Sequence, residues 1–114
     1  MLFHGSSAEG IQGIKEFGFD SRYFNRSGYY GRGAYFADVP EKSDDYSQRN
    51  ADGVKQMLIV KVALGTQEVL NNADNDKLGP SKGYHSILGQ AGKHNEYIIE
   101  RWGQAKPMYL ISYK

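Results

Sequence analysis

Glycine punctuates this chain and sets the scale of anything it can fold into. Fourteen of its 114 residues are Gly, about 12% against a usual background near 7%. A residue without Cβ admits tight turns and close backbone approach, and inside a helix it costs about 1 kcal/mol relative to Ala. Nine Tyr residues accompany the glycines. Tyrosine offers a flat apolar face with a polar tip. Gly and Tyr together are consistent with a loop-rich ligand site, but composition alone favours the plainer reading, a loop-rich small β domain.

The length allows one domain, 1–114, with a single core. A globule of this size has a radius of gyration of roughly 13 Å and buries about two-thirds of its unfolded surface. Fourteen Lys and Arg stand against 13 Asp and Glu, a formal net charge of +1. That balance argues against a chain whose main work is coating nucleic acid or an anionic membrane. The absence of Cys excludes disulfide frameworks, thiol nucleophiles and cysteine zinc sites. The longest apolar stretch, Met57 to Leu64, is too short to span a bilayer and contains Lys61. No signal peptide is visible at Met1-Leu2-Phe3-His4-Gly5, and an intracellular location, cytoplasmic or nuclear, is expected.

Patterning predicts an α+β domain with a mostly antiparallel sheet, two short helices and two long loops. Met1 to Phe3 reads as a strand entering His4-Gly5. Ser6-Ser7-Ala8-Glu9 has capping-box spacing, and Ile11, Ile14 and Phe17 follow at helical spacing before Gly18. A helix is expected near 7–17. Phe19 to Gly33 reads as a long loop of the kind that usually carries function. Ala34 to Ala37 reads as a strand. Asp38-Val39-Pro40-Glu41 is a second capping signal, opening a helix near 40–47. Val54 to Leu64 is the strongest strand. Residues 71–93 read as polar loop with a Gly79-Pro80 turn. Glu96 to Glu100 and Tyr109 to Tyr113 read as closing strands.

The chemistry is first narrowed by exclusion. His4, His85 and His94 include no i, i+4 pair, so no metal site is expected. Gly28-x-x-Gly31-x-Gly33 is neither a dinucleotide fingerprint nor a P-loop, because no Gly-Lys-Ser/Thr follows. There is no nucleophile elbow. What remains is an ordered set of short motifs: Leu2-Phe3-His4-Gly5-Ser6, then Gly31-Arg32-Gly33-Ala34-Tyr35-Phe36-Ala37-Asp38, then Lys42-Ser43 with Tyr46, then Asn95-Glu96-Tyr97. Taken singly, each fits an ordinary structural residue. A lone His at a strand end, a Tyr in a strand and a Glu opening a strand are all commonplace.

In this order the motifs closely resemble the catalytic domain of the poly(ADP-ribose) polymerase family, the diphtheria-toxin-like ADP-ribosyltransferases. The family's His-Tyr-Glu triad falls on His4, Tyr35 and Glu96. Gly83 to Gly89 resembles the tankyrase-type loop, although the cysteines of the tankyrase zinc site are absent. Asn50-Ala51-Asp52-Gly53 and the strand after it are similar to the mono-ADP-ribosylating members. The resemblance implies a split β-sheet core with short flanking helices. Because family domains normally begin well before the triad His, the expectation is either a trimmed fragment or an unusually minimal catalytic domain.

It also implies a function: transfer of ADP-ribose from NAD⁺, the co-substrate, to a protein acceptor with release of nicotinamide and no metal. The chain itself is one candidate acceptor, and a nucleic-acid acceptor is less favoured by the charge. In the implied site Gly5 and Ser43 hold the nicotinamide carboxamide, and Tyr46 and Tyr35 flank its ring. His4 meets the adenosine ribose, assisted by Ser6, and Glu96 meets the 2′-hydroxyl of the nicotinamide ribose. Phe36, Ala37 and Lys42 complete the cofactor-binding set. Arg22, Arg26 and Arg32 are candidate phosphate neighbours. Loss of nicotinamide leaves an oxocarbenium-like centre, as in glycoside cleavage, which a nearby carboxylate stabilises. Glu96 permits chain elongation. Tyr29, where polymerising members tend to carry Met, points toward mono- or short-chain modification. The alternatives are a non-catalytic NAD⁺ or ADP-ribose binding module, and an NAD⁺ glycohydrolase or toxin.

Overall fold

The computed structural model describes all 114 residues. Eight strands and two helices run in the order β1 (Leu2–Gly5), α1 (Ala8–Phe17), β2 (Asn25–Gly28), β3 (Gly31–Ala37), α2 (Pro40–Asp44), β4 (Lys55–Val62), β5 (Gln67–Leu70), β6 (Ser86–Gly89), β7 (Glu96–Ile99) and β8 (Ala105–Tyr113). The sheet order is β5-β6-β7-β3-β1-β4-β8, with β2 paired to β3. Every pairing is antiparallel except β5 with β6. The α+β class with a mostly antiparallel sheet holds.

The sheet is nearly divided in two at its centre. β1 pairs with β4 at four consecutive positions, but with β3 only at Phe3 opposite Ala37. Beyond that point the strands part. Register and alternation decide what faces where. Phe36 and Ala34 lie on one face with Leu2, Leu58, Val60 and Ile99, and Ile11 and Phe19 cover them there. Tyr35 points to the other face, packing with Ile87, Ile98 and Tyr30. The expectation of a single core is therefore corrected. Central strands with both faces occupied produce two apolar clusters, even in so short a chain.

Several boundaries differ from the sequence reading. The N-cap of α1 is Ser7, whose side chain accepts from Gly10 N at 3.1 Å. The box expected between Ser6 and Glu9 does not form, because the helix starts one residue later. Gly18 ends the helix at φ 75°, its N–H donating to Ile14 O. The second helix, Pro40–Asp44, is shorter than expected, and its N-cap Val39 makes no side-chain cap.

The expected loop from Phe19 to Gly33 holds a 3-10 turn at Ser21–Tyr23 and the β2–β3 hairpin. Its glycine-rich text hid a strand because Gly28 and Gly31 pair across the turn rather than interrupting it. The expected polar loop 71–93 yields β6, and β5 just before it had also been missed. Both are four residues long and draw their regularity from ladder partners. The last strand begins at Ala105, four residues early.

Candidate active site

The gap between β1 and β3 is filled by an imidazole. His4 Nδ1 lies 2.7 Å from Tyr35 O, where a continued ladder would have placed a backbone donor. A carbonyl only accepts, so Nδ1 carries the proton and Nε2 is left as an acceptor. The ring packs edge-on against Phe19 at 5.1 Å and against Phe36 at 5.2 Å. Burial among these rings pushes the His4 pKa down, opposed by the bond to Tyr35. The imidazole is thus neutral at pH 7.

Gly5 follows at the end of β1. A Cβ there would overlap Ser43 O and crowd Ser47 Oγ, so α2 seats directly on the β1 backbone. Ser43 lies buried beneath that contact. Tyr35 directs its hydroxyl inward, donating to Gly31 O at 2.6 Å and accepting from Tyr30 N at 2.9 Å. Its ring therefore forms a fixed wall. Burial raises the Tyr35 pKa well above the ordinary phenol value.

Glu96 opens β7 opposite Ala37 and Gly89 and is only 4% exposed. Tyr46, 39% exposed, donates to Glu96 Oε1 at 2.8 Å across 50 residues of sequence. Burial, and then this bond, raise the Tyr46 pKa. Lys42 Nζ stands 5.6 Å from the Tyr46 ring centre and pairs with Asp45 at 3.5 Å.

A cleft of about 720 Å³ runs along this line, within the range of sites for drug-sized ligands. Of the residues singled out in the sequence, His4, Gly5, Ser6, Tyr35 and Tyr46 line it. Phe36 lies in the core with Phe19, and Ala37 sits at the β1–β3 bridge. Lys42, Ser43 and Glu96 are not among the lining residues, and Glu96 is joined to the lining through Tyr46. Arg22, Arg26 and Arg32 line a separate pocket that shares Phe24 with the cleft.

Sequence reading missed Glu9, Phe17, Asp20, Phe24 and Gln48, which also line the cleft. Asp20 is buried and caps the 3-10 turn through Arg22 N at 2.9 Å, while Arg22 Nη2 approaches it at 2.6 Å. The bonds from the Arg22 side chain hold its pKa below the ordinary carboxylate value. An acid two residues ahead of an arginine at a helix end was the available signal. No group of three His, Cys, Asp or Glu side chains is placed to hold a metal ion. No helix is long and apolar enough to cross a membrane.

Comparison with known proteins finds a match to the poly(ADP-ribose) polymerase catalytic-domain model over residues 1–95. Mouse protein mono-ADP-ribosyltransferase PARP10 is 37% identical over the whole of this chain, which spans 13% of that protein. Chicken poly [ADP-ribose] polymerase 1 is 37% identical over 78% of the chain and 9% of its own length. Human protein mono-ADP-ribosyltransferase PARP4 is 30% identical over 98% of the chain and 8% of its own length. The chain thus spans a small fraction of each of these relatives.

Proposed function

The chain belongs to the poly(ADP-ribose) polymerase catalytic-domain family, and from that premise we propose that it transfers ADP-ribose from NAD⁺ to a protein acceptor. The observation that carries this reading is the Tyr46–Glu96 bond. It ties Glu96, across 50 residues of sequence, to Tyr46 on a cleft whose lining also includes His4 and Tyr35.

The residue chemistry fits the donor. His4 Nε2, a neutral acceptor, takes a hydroxyl hydrogen of the adenosine ribose. Gly5 offers backbone groups to the carboxamide beside the buried Ser43. The fixed ring of Tyr35 and the half-exposed ring of Tyr46 flank the nicotinamide. Glu96 accepts from the 2′-hydroxyl of the neighbouring ribose. The bond from the ribose C1 to the nicotinamide nitrogen breaks, and its electron pair leaves with neutral nicotinamide. The carboxylate stabilises the oxocarbenium-like centre in a partly dry setting. An acceptor oxygen then bonds to C1 and passes its proton to Glu96, acting as general base.

Modification with a single unit or short chains is the favoured outcome. Tyr29, at the position where polymerising members tend to carry Met, is exposed in the hairpin turn. Two of the relatives described above carry mono-ADP-ribosyltransferase in their names.

Glu96→Gln tests the proposal, because Gln keeps the shape and still accepts from Tyr46. Transfer of labelled ADP-ribose is expected to fall by about 100-fold or more, the scale of one electrostatic group at a reacting centre, with a much smaller loss of NAD⁺ affinity. Undiminished transfer would refute the assignment. Nicotinamide release by the unmutated chain with no label on any protein would instead support a glycohydrolase.

A further inference from the structure

The charges lining the cleft are all acidic. Its lining includes two carboxylates, Glu9 and Asp20, and no Lys or Arg. Asp20 is neutralised by Arg22, and His4 is held neutral by burial. Glu9 has no ion pair and no side-chain hydrogen bond, which leaves it as the one unbalanced formal charge on the wall.

Its position sharpens the effect. Glu9 stands in the first turn of α1, five residues from His4. Ser7 takes up Gly10 N with its hydroxyl and Ile11 N with its carbonyl. The amides of Ala8 and Glu9, ahead of these, have no partner inside the helix. A helix start facing a cleft attracts anions by default. Here a carboxylate already occupies that field, so the helix start repels a second anion instead of binding it.

We propose that Glu9 is a specificity residue that selects NAD⁺ over NADP⁺ by repelling the extra phosphate on the adenosine ribose. The inference rests on the functional reading above, in which His4 meets that ribose. NADP⁺ differs only by a phosphomonoester on the 2′-oxygen, carrying a charge of about −1.5 to −2 near pH 7. The cleft lining offers that group no Lys or Arg and, in Glu9, one carboxylate without an ion pair. Asp20 adds little, since its charge is spent on Arg22.

The test is competitive binding of NAD⁺ and NADP⁺ to the unmutated chain and to Glu9→Gln, Glu9→Lys and Glu16→Gln. Glu16 lies on the same helix outside the cleft lining, bonded to Gln12 at 3.0 Å, and serves as the control. The preference for NAD⁺ is expected to fall about 10-fold in Glu9→Gln, the size of one charge pair a few ångströms apart in partly screened surroundings. It should fall further in Glu9→Lys and stay put in Glu16→Gln. Raising the salt concentration should shrink the preference of the unmutated chain and leave that of Glu9→Gln nearly flat. A preference unchanged in Glu9→Gln, or moved equally by Glu16→Gln, overturns the role of Glu9 while leaving the NAD⁺ reading intact. Failure of the unmutated chain to bind either dinucleotide would instead reject the functional reading and this inference together.

Discussion

Tyr46 and His4 show how single residues here carry structural and chemical duties at once. The Tyr46 phenol is the only side-chain partner of the Glu96 carboxylate, and a hydrogen bond to a charged group contributes about 1.5–3 kcal/mol. Tyr46→Phe should keep the flat ring and lose the bond. We expect transfer to fall about 10-fold, with KM for NAD⁺ moving less than kcat; steady-state kinetics would read the split. His4 makes a different prediction, through pH. Burial lowers its folded-state pKa below the ordinary 6.5. The unfolded chain therefore binds more protons as pH falls through 6.5, and stability is lost in that direction. The slope is at most about 1.4 kcal/mol per pH unit for one proton. Urea unfolding between pH 7 and pH 5 should show this component in the unmutated chain and lack it in His4→Asn.

At the scale of elements, the β2–β3 hairpin depends on Gly31. The turn residues Tyr29 and Tyr30 keep negative φ, while Gly31 takes φ 93°. A left-handed glycine after the two turn residues restores the strand register. A Cβ on Gly31 would overlap the Lys77 carbonyl, which already accepts from Arg32 N at 2.8 Å. Gly83 has nearly the same φ, 94°, with nothing beside it. Gly83→Ala should cost only backbone strain, about 1 kcal/mol. Gly31→Ala should cost about 2–4 kcal/mol, because crowding against backbone adds to the strain. Urea midpoints of the two variants separate these contributions. The same hairpin holds Tyr35 in place, since its hydroxyl accepts from the turn amide Tyr30 N and donates to Gly31 O just after it.

The whole molecule is an open sheet with thin cover. Its radius of gyration is 13.3 Å, as expected for its length, but its extents are 42 × 28 × 23 Å and only 24 of 114 residues are buried. β8 ends the sheet with an unpaired outer edge, and Met108, Tyr109, Leu110 and Ile111 along it are exposed. A long apolar edge strand is a template for pairing with another chain. Light scattering should therefore show association that grows with protein concentration. Tyr109→Lys, at a site 61% exposed, should reduce it while changing stability by no more than about 0.5 kcal/mol. Association unaffected by that charge would place the contact elsewhere.

Legibility in the sequence followed the range of the interaction. The helix at Ala8–Phe17, its glycine stop, the strand at Lys55–Val62 and the order of the family motifs were all readable, because periodicity, capping and short text are local properties. The four-residue strands β5 and β6 were not, because their own residues show no period and pairing alone makes them regular. The resemblance named His4, Tyr35 and Glu96 as candidate triad residues and implied their roles, whereas each residue read singly looked structural. Only the tertiary structure decided that β1 and β3 part after one bridge, that His4 fills the gap as a neutral acceptor, that Tyr46 holds Glu96, and that Glu9 is the unbalanced charge on the cleft. Each of these depends on which distant segment lies across from a residue, and so on the packing of the whole sheet.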